Sequence, residues 1–338
     1  QPRVDDRAIR TEVSEPVFTS SILPRFMRRI PSIDNLLPVL YLKGISTNDF
    51  PAAFESILGK EASNLSSNVI VGLKKRWENE YETWNKRSLS QKEYAYFWVD
   101  GIYCNARLED ERSCLLVIIG ADKDGKKELI SVTDGVRESK LSWKDILLDL
   151  KKRGLRLGPK LAIGDGALGF WAALREVYPS TKEQLCWVHK TANILDKLPK
   201  SIQEKAKSGI HEMYMAETKE SAMTAYDHFV NVYGDKYPKA IESLAKNKDK
   251  LFTFYEFPAK QWVHIRTTNP IESTFATIRL RTKKTKGCGT RKTTLTMLFK
   301  LGIEAEKRWT KLKGHDYLPL LFENKKFING VLEEEIAV

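Results

Sequence analysis

The sequence predicts an α/β fold: a mixed β-sheet with flanking helices, interrupted by an all-helical insertion and preceded by a helical region. Three observations carry this expectation. Short β-branched and aromatic runs cluster between residues 91 and 187, the first three close enough to pair as hairpins and the later two separated by helical stretches. Residues 188–258 hold amphipathic stripes and no strand pattern. Residues 31–90 repeat their apolar positions at helical spacing as well.

In chain order, residues 1–30, rich in Pro, Arg and Ser, read as an extended arm. Residues 46–49 offer an N-cap to a helix carrying Phe50, Phe54, Ile57 and Leu58, and Gly59 closes it. Ser66, Ser67 and Asn68 cap a second helix through Val69, Leu73, Trp77, Tyr81 and Trp84, whose other face holds Lys74, Lys75 and Arg76. Two helices joined by a short turn outline a helix-turn-helix, although the residues alone favour an ordinary helical hairpin with a solvated basic face. Strands follow at 94–104, 114–121 and 128–133, the last two joined by a turn at 122–125. A helix at 139–152 ended by Gly154, a strand at 160–163, a helix at about 167–178 and a strand at 182–187 complete a β-β-β-α-β-α-β order. Hairpins followed by αβ units give a mixed sheet. After the insertion, residues 259–320 read as loop, a helix from about 270 to 281 that Pro270 opens, and a long helix at about 292–309. Residues 321–338 read as a C-terminal tail.

The 338 residues, 42% of them hydrophobic, suffice for a large core. Lys and Arg number 56 against 44 Asp and Glu, a formal charge of +12 that attracts polyanions, nucleic acid first among them. Four scattered cysteines without a CxxC pair fit a reducing, cytoplasmic setting. No apolar run approaches the ~18–20 residues of a membrane span, so no membrane partner is expected. The chain opens on Gln1 rather than Met, which leaves room for native sequence upstream.

Phosphodiester chemistry uses hard divalent cations held by carboxylates on a rigid scaffold. Asp100 lies inside the apolar run FWVDGIY, where an unpartnered charge is costly to bury. Asp165 follows the fourth strand directly, in LAIGDGALGFW, at the carboxyl end where α/β sheets form their site crevice. Glu272 sits in the first turn of the helix that Pro270 opens, where the helix dipole favours its ionised form. Each has a plain alternative: an ion pair at a strand end, a helix cap, a dipole partner. Gly164, Gly166 and Gly169 also spell the GxGxxG of a dinucleotide turn. An aspartate inside that turn would repel a pyrophosphate, and the turn follows the fourth strand rather than the first.

Beyond Glu272, residues 279–292 read RLRTKKTKGCGTRK, with Arg279, Arg281, Lys283, Lys284, Lys286, Arg291 and Lys292 and no acidic residue. Arg266 and Asn269 add hydrogen-bonding groups just upstream of the helix. Cations beside a carboxylate would bind a phosphate backbone; a solvated basic face is the alternative. Cys186 and His189 form a CxxH without a second ligand pair nearby, so a structural zinc is not expected. A packed strand-to-helix junction accounts for them, with any further role open.

Together, YLKGIST, WVDGIY, LAIGDGALGFW, CWVHK, YPKA, FYEFP and RTTNPIES resemble the bacterial insertion-sequence 256 transposases, in the Mutator-like superfamily, over about residues 35–320. RTTNPIE is the most specific block, and the CxxH is a further family mark. The resemblance implies an RNase H-like catalytic domain interrupted by a helical insertion, and an N-terminal helix-turn-helix. It implies a metal-binding D, D, E set matching Asp100, Asp165 and Glu272, with Mg²⁺ as cofactor and Mn²⁺ able to replace it. The activity implied is that of a DDE transposase: metal-dependent cleavage at the 3′ ends of a mobile element, then attack of the 3′-OH on DNA by a copy-out-paste-in route. Its partners would be the terminal inverted repeats, target DNA and a second copy of the chain, at the nucleoid of a bacterial cell. Gly101 departs from the pattern, since relatives often carry a larger residue after the first aspartate. Two other functions stay open on the residues alone. One is an RNase H-type nuclease that cleaves without joining, and the other a non-catalytic DNA-binding derivative, which loss of a carboxylate would favour; all three are present.

Overall fold

The computed structural model describes residues 67–105, 112–135, 137–166, 169–274, 276 and 290–336. The N-terminal arm, the first helix of the helix-turn-helix outline, and Arg279, Arg281, Lys283, Lys284 and Lys286 lie outside the described residues. The chain divides into two units, 1–78 and 79–338. Helix α1 (Ser67–Asn85) spans the division. In the first unit Lys75 and Arg76 are exposed on it, and the side chain of Lys74 is outside the described set.

In the second unit, β1 (Tyr94–Asn105) begins with six residues, Tyr94 to Val99, each no more than 2% exposed. A strand with consecutive rather than alternating apolar residues is covered on both faces, so it belongs in the middle of a sheet. The order is β3-β2-β1-β4-β5, with β2 (Arg112–Asp122), β3 (Lys127–Gly135), β4 (Leu161–Gly164) and β5 (Lys182–Leu185). The first three strands form an antiparallel meander, and β4 and β5 run parallel to β1, so the sheet is mixed as the element order leads one to expect. At the β2–β3 turn the Asp122 carboxylate accepts from the N–H groups of Asp124 and Lys126, both at 2.9 Å, and Gly125 supplies a φ of 74°.

Helix α2 (Lys140–Lys152) starts where Ser139 caps the Ser142 N–H at 3.2 Å, and it buries Trp143, Ile146, Leu147 and Leu150. Trp143 meets Phe170 of α3 (Phe170–Val177) edge to face at 5.2 Å, which locks the two crossover helices together. From β5 to Gln261 the described chain is helical: α4 (Trp187–Leu195), α5 (Lys200–Met215), α6 (Lys219–Tyr233) and α7 (Pro238–Ala245), then short 3₁₀ turns. The stripe Ala222, Tyr226, Phe229 and Tyr233 is the buried face of α6.

The chain then returns to the sheet through α8 (Trp262–Ile265) and α9 (residues 269–274). Two hydrogen bonds anchor the return: Trp98 of β1 donates Nε1–H to the His264 carbonyl, and the Trp187 N–H donates to the Arg266 carbonyl, both at 2.9 Å. Helix α10 (Arg291–Glu306) packs along β3, where Gly302 lies so near Leu129 that a Cβ there would come within 2.7 Å of its Cδ2. Helix α11 (Leu318–Phe322) follows. The last segment, expected to be a plain tail, instead forms a hairpin of β6 (Phe327–Ile328) and β7 (Val331–Leu332). Its tip docks through the Ala259 N–H on the Gly330 carbonyl and the Gly330 N–H on the Tyr255 carbonyl, each 3.0 Å. Asn329 and Gly330, at φ 49° and 79°, form the Asn-Gly turn such hairpins favour.

Candidate active site

Strand register places the first two carboxylates. Trp98 pairs with Ile163 and Gly164 with Leu185 in the parallel ladders. Continued along the strands, those registers set Asp100, Asp165 and Cys186 in one row across β1, β4 and β5, at the carboxyl end of the parallel strands. Asp100 is 6% exposed, and Asp165 is half-buried in the loop beyond β4. The Trp171 indole N–H of α3 donates to the Asp165 carbonyl at 2.7 Å and fixes that loop. Beside it opens a cavity of about 240 Å³, lined among others by Asp165, Gly166, Cys186 and Lys190. Lys190 is buried and donates to the carbonyls of Ser243 and Lys246 at 2.8 and 2.9 Å. Burial lowers its pKa to about 8 against the opposing pull of Asp165.

A fourth acid joins them. Glu138, just ahead of the Ser139 cap, has its carboxyl raised to about 7, by burial first and then by the charges of Asp100 and Asp165. A Cβ built on Gly101 would fall on the Glu138 carboxylate, and the Gly169 N–H donates to the Glu138 carbonyl at 3.1 Å. Gly101, having no side chain, leaves the space that this carboxylate occupies. Composition gives no sign of Glu138; the small residue at 101 was the available signal.

Glu272 lies in the first turn of α9, as Pro270 foretold. Its carboxylate accepts from the Thr268 hydroxyl at 3.1 Å and stands 3.9 Å from His189 Nε2. His189 is raised to about 9, chiefly by its hydrogen bond to Cys186 and then by the Cys186, Asp165 and Asp100 charges, against burial. Two neighbourhoods therefore meet at His189: the aspartate pair with Glu138 beside the strand ends, and Glu272 on the returning helix. Among the described residues, the group of three ligating side chains with atoms within 4.8 Å of one another is Cys186, His189 and Glu272. The two aspartates and Glu272 do not form such a group. Cys186 caps α4 at a backbone φ of −67° and ψ of 119°, so the strand expected to reach Trp187 ends at Leu185.

The expected DNA contacts divide by position. Arg266 lays its guanidinium over Phe254 and Trp262, 4.7 and 5.0 Å from the ring centres, and no carboxylate pairs with it among the described residues. Asn269 is exposed at the start of α9. Arg291 and Lys292 open α10 behind the Thr290 cap, and Lys292 is exposed. No helix among the described residues is long and apolar enough to cross a membrane.

A mixed sheet that gathers carboxylates at the ends of its central strands, with arginine and lysine on the adjoining helices, defines a class of candidate phosphodiester enzymes. Residues 14–311 match the family model described as transposase, Mutator family, and the chain belongs to that family of DNA transposases. It is 49% identical to the transposase for insertion sequence element IS6120 of Mycolicibacterium smegmatis, over 89% of this chain and 93% of that one. It is 50% identical to the IST2 transposase of Acidithiobacillus ferrooxidans, over 82% and 94%. The transposase of IS256 in transposon Tn4001 of Staphylococcus aureus is 28% identical over 79% and 68%, so the resemblance carried by the sequence blocks holds. Among solved structures, the HTLV-2 integrase catalytic core domain in complex with magnesium (dimeric form) aligns with 52% of this chain and 99% of its own at 13% identity, with a TM-score of 0.21. That likeness is too slight to bear on this chain.

Proposed function

We propose that the chain is a DDE-type transposase in which Asp100, Asp165 and Glu272 hold divalent metal ions. The row that register makes of Asp100 and Asp165 carries the proposal. Two hard carboxylates side by side at the mouth of the sheet, beside a Glu138 carboxyl raised to about 7 by burial and then by their charges, mark a place where a divalent cation relieves repulsion. The all-oxygen donor set fits Mg²⁺, and Mn²⁺ in its place. When bound, such ions activate the attacking oxygen and stabilise the leaving one. The β3-β2-β1-β4-β5 order, with β1 central, supports an RNase H-like reading of the sheet.

The chain's own residues hold and orient the DNA. Arg266, seated on aromatic faces with its charge uncompensated by a described carboxylate, suits a phosphate oxygen. Arg291 and Lys292 open α10, Lys292 exposed, and add positive charge that suits the phosphate backbone. Cys186, the thiol in that row, is buried and hydrogen-bonded to Thr268, so water is the nucleophile: cleavage is hydrolytic at the element's 3′ ends, and the freed 3′-OH attacks DNA by a copy-out-paste-in route. Processing two ends in one complex calls for two copies of the chain.

The test uses duplex DNA bearing the inverted repeats that flank the gene. Asp165→Asn is expected to lower cleavage by about three orders of magnitude, the scale of the several kcal/mol a metal supplies, with end binding within about threefold. Wild-type cleavage by this variant would refute the assignment. Cleavage by the unaltered protein without joined product would leave a nuclease instead.

A further inference from the structure

Cys186 and His189 do no work in the reading above, yet they stand between the aspartates and Glu272. Thr268 links both of them to Glu272. It is fully buried, its N–H donates to Cys186 Sγ at 3.3 Å, and its hydroxyl lies 3.3 Å from that sulfur. The same hydroxyl donates to Glu272 Oε1 at 3.1 Å and lies 3.5 Å from His189 Nδ1. A hydroxyl has one proton and two lone pairs, whereas an ionised carboxylate only accepts. With the Thr268 proton committed to Glu272, its oxygen is left to accept, from the Cys186 thiol and from His189 Nδ1 when that nitrogen carries a proton. The chain of donors then runs one way, from the Cys186–His189 motif through Thr268 to Glu272. The Thr268 carbonyl also accepts from the N–H groups of Ile271 and Glu272, at 2.9 and 3.1 Å, so one residue sets both the backbone and the side chain of the carboxylate.

We infer that Thr268 is a positioning residue for Glu272, and that the Cys186–His189 motif acts on the carboxylate set through it. Cys186 belongs to the same row as Asp100 and Asp165, so the link fixes Glu272, on a returning helix, relative to the two sheet carboxylates. The inference rests on the reading of Glu272 as a metal ligand. Cys186, His189 and Glu272 would also suit a borderline metal by donor type. That ion would have to displace the Thr268 hydroxyl, which is within 3.5 Å of an atom of each. No fourth His, Cys, Asp or Glu joins the three among the described residues, so the hydrogen-bond network is the better account.

The experiment compares Thr268→Val, Thr268→Ser, Cys186→Ala and Glu272→Gln in the full chain. It measures Mn²⁺ binding by calorimetry, cleavage of the flanking-repeat duplex against Mg²⁺ concentration, melting temperature and bound zinc. Thr268→Val, isosteric and without the hydroxyl, is expected to melt like the wild type and bind DNA ends equally. Its Mn²⁺ affinity should fall about tenfold and its kcat by about 10–100-fold, the usual scale for a lost partner of a metal ligand. Thr268→Ser should recover both to within about threefold, and Cys186→Ala should shift both in the direction of Thr268→Val. Should Thr268→Val not fold, the serine and Cys186→Ala variants still decide. Wild-type Mn²⁺ binding and cleavage in Thr268→Val or Cys186→Ala, beside an inactive Glu272→Gln, would overturn the inference alone. An active Glu272→Gln would overturn the assignment of Glu272 instead. Stoichiometric zinc in the wild type that Cys186→Ala loses would show a ligand set and overturn the network.

Discussion

His264 accepts a hydrogen bond at Nε2 from the Lys313 N–H at 3.0 Å, which requires the imidazole to be neutral. Burial first, then Lys127 and Lys313, lower its pKa to about 4 from 6.5. A base depressed in the folded state binds fewer protons there than in the unfolded chain between those two values. Stability therefore rises with pH across the window and is lost as pH falls from about 6.5 towards 4, by at most about 1.4 kcal/mol per unit. His264→Gln keeps an acceptor without a titrating ring and should flatten that part of the curve; urea midpoints at pH 4.5, 5.5 and 7 would show it, and an unchanged slope would refute the role. At this scale legibility depends on contrast with the surroundings. Asp100 stood out because a carboxylate interrupts an apolar run, and Asp165 because it ends a strand. Glu138 and Thr268 did not, since each takes its meaning from a segment distant in the chain, Gly101 in one case and Cys186 in the other.

At the scale of elements, the α2 N-terminus is the clearest case of sequence setting structure. Ser139 caps the Ser142 N–H and immediately follows Glu138, so the cap also fixes where the site's fourth acid leaves the backbone. Ser139→Ala should cost about 1 kcal/mol, lowering the melting temperature by a few degrees in a differential scan; no change would show that packing of Trp143 alone holds the turn. The cap, the β2–β3 turn and the α6 stripe were readable because each is a local pattern. The β5–α4 boundary was not. The apolar run crosses it unbroken, and period alone cannot tell a buried strand from a buried helical turn. The β6–β7 hairpin was missed for a different reason: strands of two residues have no period, and only Asn329-Gly330 betrayed the turn.

Across the whole molecule, Glu272 follows Asp165 by 272 − 165 = 107 positions, and most of that interval is helices α4 to α7. Trp98 and Trp187 close it by gripping the carbonyls of His264 and Arg266. No local pattern announces those two bonds, which is why the helical interval was legible in the sequence and the return geometry was not. The +12 charge, by contrast, is visible at once and makes a prediction that concerns the chain as a whole. If the basic residues around Glu272 lie along DNA, binding releases counterions, and affinity should fall by about 10³–10⁵ between 50 and 200 mM salt for roughly 6–10 neutralised phosphates. Fluorescence anisotropy of a labelled duplex with the Asp165→Asn variant would measure this without cleavage intervening. Lys283→Gln together with Lys284→Gln should make the slope of log affinity against log salt shallower by about 2, close to 0.9 for each phosphate left without its lysine. The weakening should be the same on element ends and on unrelated sequence, because the phosphate backbone carries no sequence information. A slope that the double variant leaves unchanged would place the basic segment away from the DNA, and a weakening confined to the ends would mean that these lysines read bases.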